Sequence, residues 1–219
     1  MTEPARTRVH LVRHCEVHNP SGVLYGHLPA FRLSERGLRQ ADALGRYLET
    51  GRARRIYTSP LERALETAGI IASRLPGVPL EVSDDLTEAS FGHYLQGVRP
   101  RDVPWRRPLW FVHMLRPGLL EGDESVQQMA ERVRRPVLQL LRDFPGQGGI
   151  CVSHGDPIQA FWVEADGRPA RALHRLQCAK GGMLELDYEG ETLANLTYRS
   201  PAFIAAAELQ TSVGSRSAS

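Results

Sequence analysis

The chain has 219 residues, a formal net charge of +2, 42% hydrophobic and 24% charged residues, which suits one larger domain or two small ones with apolar material for a core. A net charge of +2 is too small to imply nucleic-acid binding without a dense basic stripe, and none is expected. No window approaches the ~18 apolar residues of a membrane span, and Met1 to Arg8 lacks the apolar run of a secretory signal, so a cytoplasmic protein without a membrane partner is expected.

Val9 to Val12 reads as a short buried strand ending at Arg13-His14. A loop rich in Pro and Gly follows, and Ser34 is a good N-cap for a helix from about Glu35 to Leu48. Arg55 to Thr58 reads as a second strand. Ser59 and Pro60 supply an N-cap and a first-turn proline for the next helix, which carries Leu61, Ala64, Leu65, Ala68 and Ile71 at helical spacing. Residues 76–124 are less regular. Ser125 starts another helix, in which Pro136 predicts a kink or local strain. Gly149 to Val152 is a third strand, ending at Ser153-His154-Gly155, with a helix starting near Asp156-Pro157. Met183 to Tyr188 and Thr192 to Tyr198 pair as a hairpin across Glu189-Gly190. From about Ala205 the chain turns Ser-rich and polar, and a disordered tail over 205–219 is expected.

This alternation predicts an α/β domain over 1–204, with helices on both faces of a mostly parallel sheet. Ligands in such folds bind beyond the carboxyl ends of strands, and the three interior strands end at His14, Ser59 and His154. The three cysteines, Cys15, Cys151 and Cys178, form no CxxC pair and suggest neither a disulfide framework nor a zinc site. Lys180 is the only lysine, so a lone arginine is weak evidence in so Arg-rich a chain.

Four segments can carry chemistry. Arg13-His14 at a strand end offers a nucleophile beside a bidentate phosphate clamp. The attacking imidazole nitrogen must be free of a proton, and a carbonyl accepting from the other nitrogen would fix that tautomer. Arg63 lies in the first turn of a helix, where backbone N–H groups favour an anion. His154 could donate to a phosphoryl oxygen as charge builds. Glu88 could protonate a leaving oxygen and then activate water. Singly, each has an ordinary reading as a surface pair, a solvated helix residue, a turn histidine or a loop glutamate.

Together, in this order and spacing, they resemble the histidine phosphatase superfamily, also called the phosphoglycerate mutase-like fold, over roughly residues 7–200. Leu11-Val12-Arg13-His14-Cys15-Glu16 is similar to the family's Leu-x-Arg-His-Gly-Glu. Gly26-His27-Leu28-Pro29 with Leu33-Ser34-Glu35-Arg36-Gly37, and Ser59-Pro60-Leu61-Glu62-Arg63-Ala64, resemble the next blocks. Glu88 with Phe91-Gly92 and Gly97 resembles the acid-bearing loop, Gly122-Asp123-Glu124-Ser125 with Arg132 the following helix start, and Val152-Ser153-His154-Gly155 closes the set.

The resemblance implies a three-layer α/β/α sandwich and roles residue by residue. His14 would be the phosphohistidine nucleophile, Glu88 the general acid and base, and Arg13, Arg63 and His154 the phosphoryl clamp, with Asn19 as a further phosphate donor. No metal or cofactor is implied, and the partner would be a small phosphorylated metabolite. Phosphatase is the expected activity. A phosphoglycerate mutase-type transferase, for which Arg106-Arg107 is suggestive, and a non-catalytic phosphate-binding protein are the alternatives. A lid-like insertion is expected over about 93–121, with Trp105, Trp110, Phe111 and Met114 and arginines 99, 101, 106, 107 and 116 either facing a leaving group or serving as core and solvated surface. Cys15 replaces the family's glycine, as either an oxidation-sensitive or an inert buried thiol.

Overall fold

Strand β1 (Arg6–Arg13) is buried on both faces from Val9 to Val12, which is why it reads as a mostly apolar run, broken only by His10, rather than as a strict alternation. The computed structural model describes residues 5–90, 95–109, 111–112 and 122–207. Within them lies one six-stranded sheet, built from β1, β2 (Ile56–Thr58), β3 (Leu80–Val82), β4 (Gly148–Ser153), β5 (Met183–Glu189) and β6 (Thr192–Arg199), in the order β3-β2-β4-β1-β5-β6. β3, β2, β4 and β1 run parallel, and the β5–β6 hairpin joins antiparallel at β1. The carboxyl ends of β1, β2 and β4 therefore share one edge.

Side-chain alternation splits the strands between two cores. Val9, Leu11, Tyr57 and Cys151 meet α4 (Val126–Asp143) and α5 (Gly155–Ala165). Val12, Ile56, Ile150 and Val152 meet α1 (Glu35–Glu49) and α2 (Glu62–Ser73) on the other side. This is the expected three-layer arrangement. The glycine-rich start of β4 is a packing demand: a Cβ on Gly149 would lie 2.7 Å from the Arg55 carbonyl and 2.5 Å from Leu140.

Several local expectations hold at the level of caps. The Ser34 side chain accepts from the Gly37 N–H, and Ser125 closes a capping box with Gln128. Others are corrected. Helix α2 starts at Glu62 with Leu61 as N-cap, not at Ser59-Pro60; the Ser59 hydroxyl is instead engaged with His154. Pro136 lies inside α4 as expected, within an element of 18 residues. Strand β3 was not expected, because three exposed edge residues carry no burial pattern to read. Residues 205–207, expected in a disordered tail, belong to a helical stretch over 201–207 in which Ile204 is buried as part of the core on the α1–α2 side of the sheet; 208–219 lie outside the described residues.

Of the segment expected as a lid, Leu95, Val98 and Val103 form a small cluster with Leu24, and α3 (Val103–Arg106) leaves Trp105 87% exposed. Trp105 is thus not part of the core. Phe91, Gly92, Trp110, Met114 and Arg116 lie outside the described residues. No described helix is long and apolar enough to cross a membrane.

Candidate active site

Ends of parallel strands leave backbone and side chains free of the sheet, and three such ends meet here. His14 follows β1 and is fully buried. Its Nδ1 donates to the Cys15 carbonyl at 2.8 Å, which places the lone pair of the neutral ring on Nε2. That Nε2 is buried without a hydrogen-bond partner. Burial, then the Arg63 and Arg13 charges, push the His14 pKa well below its ordinary value. The ring is therefore a free-base imidazole.

His154 follows β4 and is also fully buried, with its ring centroid 5.1 Å from that of His14. Its Nε2 lies 2.7 Å from the Ser59 hydroxyl at the end of β2, and that hydroxyl accepts from the Leu61 N–H at 3.3 Å. With Ser59 donating to Nε2, the ring proton sits on Nδ1. This nitrogen is buried and unpartnered, 3.7 Å from a Glu88 carboxylate oxygen. Burial, followed by His14 and the two arginines, lowers its pKa as well.

Two guanidinium groups flank the imidazoles. Arg63 is 1% exposed, donates to the Gly26 carbonyl at 2.8 Å and approaches Glu88 to 3.8 Å. Its helix is tied to the end of β1: the Cys15 N–H donates to the Thr67 hydroxyl, which donates to the Arg63 carbonyl. Arg13 donates to the Cys178 carbonyl at 2.6 Å. Its guanidinium lies against the residue after His154, where a Cβ on Gly155 would come within 2.9 Å of it, so a side chain there would displace the guanidinium. The Nε of each arginine is buried and unpartnered.

Glu88 arrives from the turn after β3. Its Oε1 accepts from the Ala89 N–H at 3.0 Å, leaving Oε2 toward Arg63 and His154. Four groups hold its backbone. The Ser153 hydroxyl donates to the Leu86 carbonyl at 2.7 Å, His27 Nε2 to the Glu88 carbonyl at 2.9 Å, and Arg132 to the carbonyls of Asp85 and Thr87. Glu124 pairs with Arg132 and donates its own N–H to the Ser90 carbonyl.

The structure thus brings together five of the six residues singled out in the sequence: Arg13, His14, Arg63, Glu88 and His154. Asn19 is engaged elsewhere. Its amide donates to the Val23 carbonyl and accepts from the Val23 N–H, closing its own loop. Sequence reasoning missed Ser59 as a partner of His154, His27 as a prop for Glu88, and Tyr25, over whose ring the Arg63 guanidinium sits at 4.8 Å. Ser59 was legible as a strand end, and His27 stood in the Gly26–Pro29 block without a role; nothing in the sequence pointed to Tyr25. Cys15 is fully buried and its thiol is pushed up to about 12 by burial, which favours the inert reading.

His14, Glu88 and His154 each bring a potential ligand atom within 4.8 Å of the others. Two guanidinium groups in the same hollow make it hostile to a cation and receptive to a dianion. An unpartnered buried polar atom costs about 1–3 kcal/mol, and Arg13, His14, Arg63 and His154 each carry one.

Comparison with known proteins agrees with this geometry. Residues 9–200 match the family model described as histidine phosphatase superfamily (branch 1). An uncharacterized protein of Mycobacterium tuberculosis, Rv0525, is 35% identical over 204 residues, covering 91% of this chain and 98% of that protein. Among solved structures, Bacillus stearothermophilus YhfR superposes with a TM-score of 0.76 at 23% identity, covering 85% of this chain and 94% of that one. The alpha-ribazole phosphatase of Shigella flexneri superposes with a TM-score of 0.71 at 25% identity, covering 89% and 95%.

Proposed function

The chain belongs to the histidine phosphatase superfamily, and from that premise we propose that it hydrolyses small phosphomonoesters through a phosphohistidine on His14. The observation that carries this reading is the set of four buried, unpartnered polar atoms on Arg13, His14, Arg63 and His154, with Glu88 at their side.

His14 Nε2 attacks phosphorus in line. The N–P bond forms as the P–O bond to the alcohol breaks, and Glu88 gives its proton to the departing oxygen. Water then gives a proton to Glu88 and attacks the phosphohistidine, releasing inorganic phosphate and restoring His14. Arg13, Arg63 and His154 Nδ1–H hold the equatorial oxygens throughout. Losing one such preorganised donor costs about 10²–10³ in rate. The two guanidinium groups supply the charge that a metal would otherwise supply, so turnover is expected to continue in EDTA.

A trapping experiment tests the reading. Quenched mixtures with a ³²P-labelled monoester should contain acid-labile, base-stable label on the protein, and His14→Ala should abolish both label and phosphate release. Phosphate release that survives in His14→Ala would reject the mechanism. Label that passes from 3-phosphoglycerate to its isomer rather than to water would assign the mutase activity instead.

A further inference from the structure

Helix α1 stops at Glu49, and Thr50 to Ala53 lead the chain away toward β2. Past that stop, the sheet is left partly uncovered at the amino ends of β1 and β4. A cavity of about 550 Å³ lies there. Arg6, Arg8 and His10 of β1, Gly51 and Arg52 after α1, and Asp187 and Glu189 of β5 are among the residues that line it. The candidate active site is at the opposite end of β1. Even the nearest lining residue of that strand, His10, precedes His14 by four positions, about 13 Å along a strand.

His10 is 8% exposed, yet neither of its ring nitrogens has a hydrogen bond among the described residues. The carboxylate on its side, Glu185, lies 4.0 Å from Nε2. That carboxylate is already committed, accepting from the Tyr47 hydroxyl at 2.8 Å and from Arg199 Nε at 2.8 Å. Burial lowers the His10 pKa to about 4, against the pull of Glu185, so the ring is neutral. A neutral imidazole offers one donor and one acceptor. Both are unused here, in a ring that lines an open space. Gly51 keeps that space clear: a Cβ there would come to 4.0 Å from His10 Cε1.

The charges of the wall do not cancel. Arg8 forks onto Asp187 at 2.6 and 3.0 Å, its partner across the β1–β5 register, and Arg6 reaches Glu189 at 3.1 Å. Arg52 has neither a hydrogen bond nor an ion pair among the described residues. Two of the three lining arginines are thus answered by the two lining carboxylates, and one guanidinium remains. The volume is far more than a bare phosphate or sulfate needs and falls among small-molecule sites, about 300–1,000 Å³. We propose that this cavity is a second, non-catalytic binding site for a small organic monoanion of about nucleotide size, its carboxylate or phosphate on Arg52 and its polar body hydrogen-bonded to His10. The site stands apart from the phosphoryl hollow and does not depend on the phosphatase reading.

The test uses ligands that a phosphomonoesterase cannot turn over. Full-length protein labelled with ¹⁵N-histidine is titrated with cyclic AMP, with adenosine 5′-carboxylate and with neutral adenosine, and His10→Gln assigns the ring. At least one of the two anions should shift the His10 ring nitrogens saturably, with a midpoint below about 1 mM, while adenosine leaves them in place. Which anion does so distinguishes a phosphate from a carboxylate ligand. Arg52→Ala, a change at an exposed loop position, should weaken that binding by about tenfold or more. The proposal is overturned if neither anion moves His10, if adenosine binds as well as the anions, or if Arg52→Ala binds undiminished. It is equally overturned if His14 and His154 shift while His10 does not, since the anion would then occupy the phosphoryl hollow.

Discussion

At the scale of the residue, the site is governed by what burial does to imidazole. Among the described residues His14 and His154 have no carboxylate at hydrogen-bonding distance to favour their charged forms, and two arginines oppose protonation. Both rings should stay neutral wherever an exposed histidine titrates. NMR of ¹⁵N-histidine-labelled protein, with His14→Ala and His154→Ala for assignment, should show neither ring titrating between about pH 5 and 8. A midpoint near 6.5 for His14 would mean that its nucleophilic form is not held in advance. The Arg-His dipeptide was plain in the sequence as a candidate, and so was the need for a carbonyl to fix the tautomer. That the carbonyl belongs to Cys15 was not, because the turn that folds it back onto the ring depends on the packing of Thr67 from α2.

At the scale of the element, the acid loop is held from outside. Glu88 sits on a turn with little secondary structure of its own, and the first turns of α4 position it. Arg132 forks onto Glu124 and caps the carbonyls of Asp85 and Thr87, two donors that lysine cannot reproduce with the same geometry. Arg132→Lys should therefore loosen the proton donor without removing charge. The expected result is a roughly tenfold fall in kcat for an alkyl phosphate, about 1.4 kcal/mol, with KM little changed. For p-nitrophenyl phosphate, whose leaving group needs no proton, the loss should be much smaller. Equal losses on both would show that Arg132 serves stability alone. The Gly-Asp-Glu-Ser segment and Arg132 were recognisable as a helix start, but the sequence placed no contact between them and residues 85–87, some 45 positions away.

At the scale of the whole molecule, buried titratable groups make stability depend on pH in opposing directions. The folded pKa values of His10, His14 and His154 lie below the unfolded value, that of His10 at about 4. Their contribution is present above about pH 6.5 and is lost as pH falls and the unfolded chain takes up protons. Asp156, in the first turn of α5, is pushed up to about 7 by burial and by Glu88, against the pull of Arg13. Its contribution is full below the unfolded value near 4 and is lost as pH rises through 7. Asp156→Asn removes that loss. Its stability relative to wild type, followed through the melting temperature, should rise between pH 4 and 7 and level off above, by on the order of 1–3 kcal/mol. A difference that stays constant with pH would show that Asp156 is already ionised in the folded protein at acid pH.

Order along the chain was enough to establish the α/β class, the strands that end at the site and the five groups that meet there, because each rests on local pattern or on a motif of fixed spacing. Tertiary structure alone decided which of those groups are left unpartnered, which loops hold them, and that Asn19 turns back on its own loop. Burial and long-range contact set those outcomes. They arise only when β1, β2 and β4 are laid side by side, and no single segment contains them.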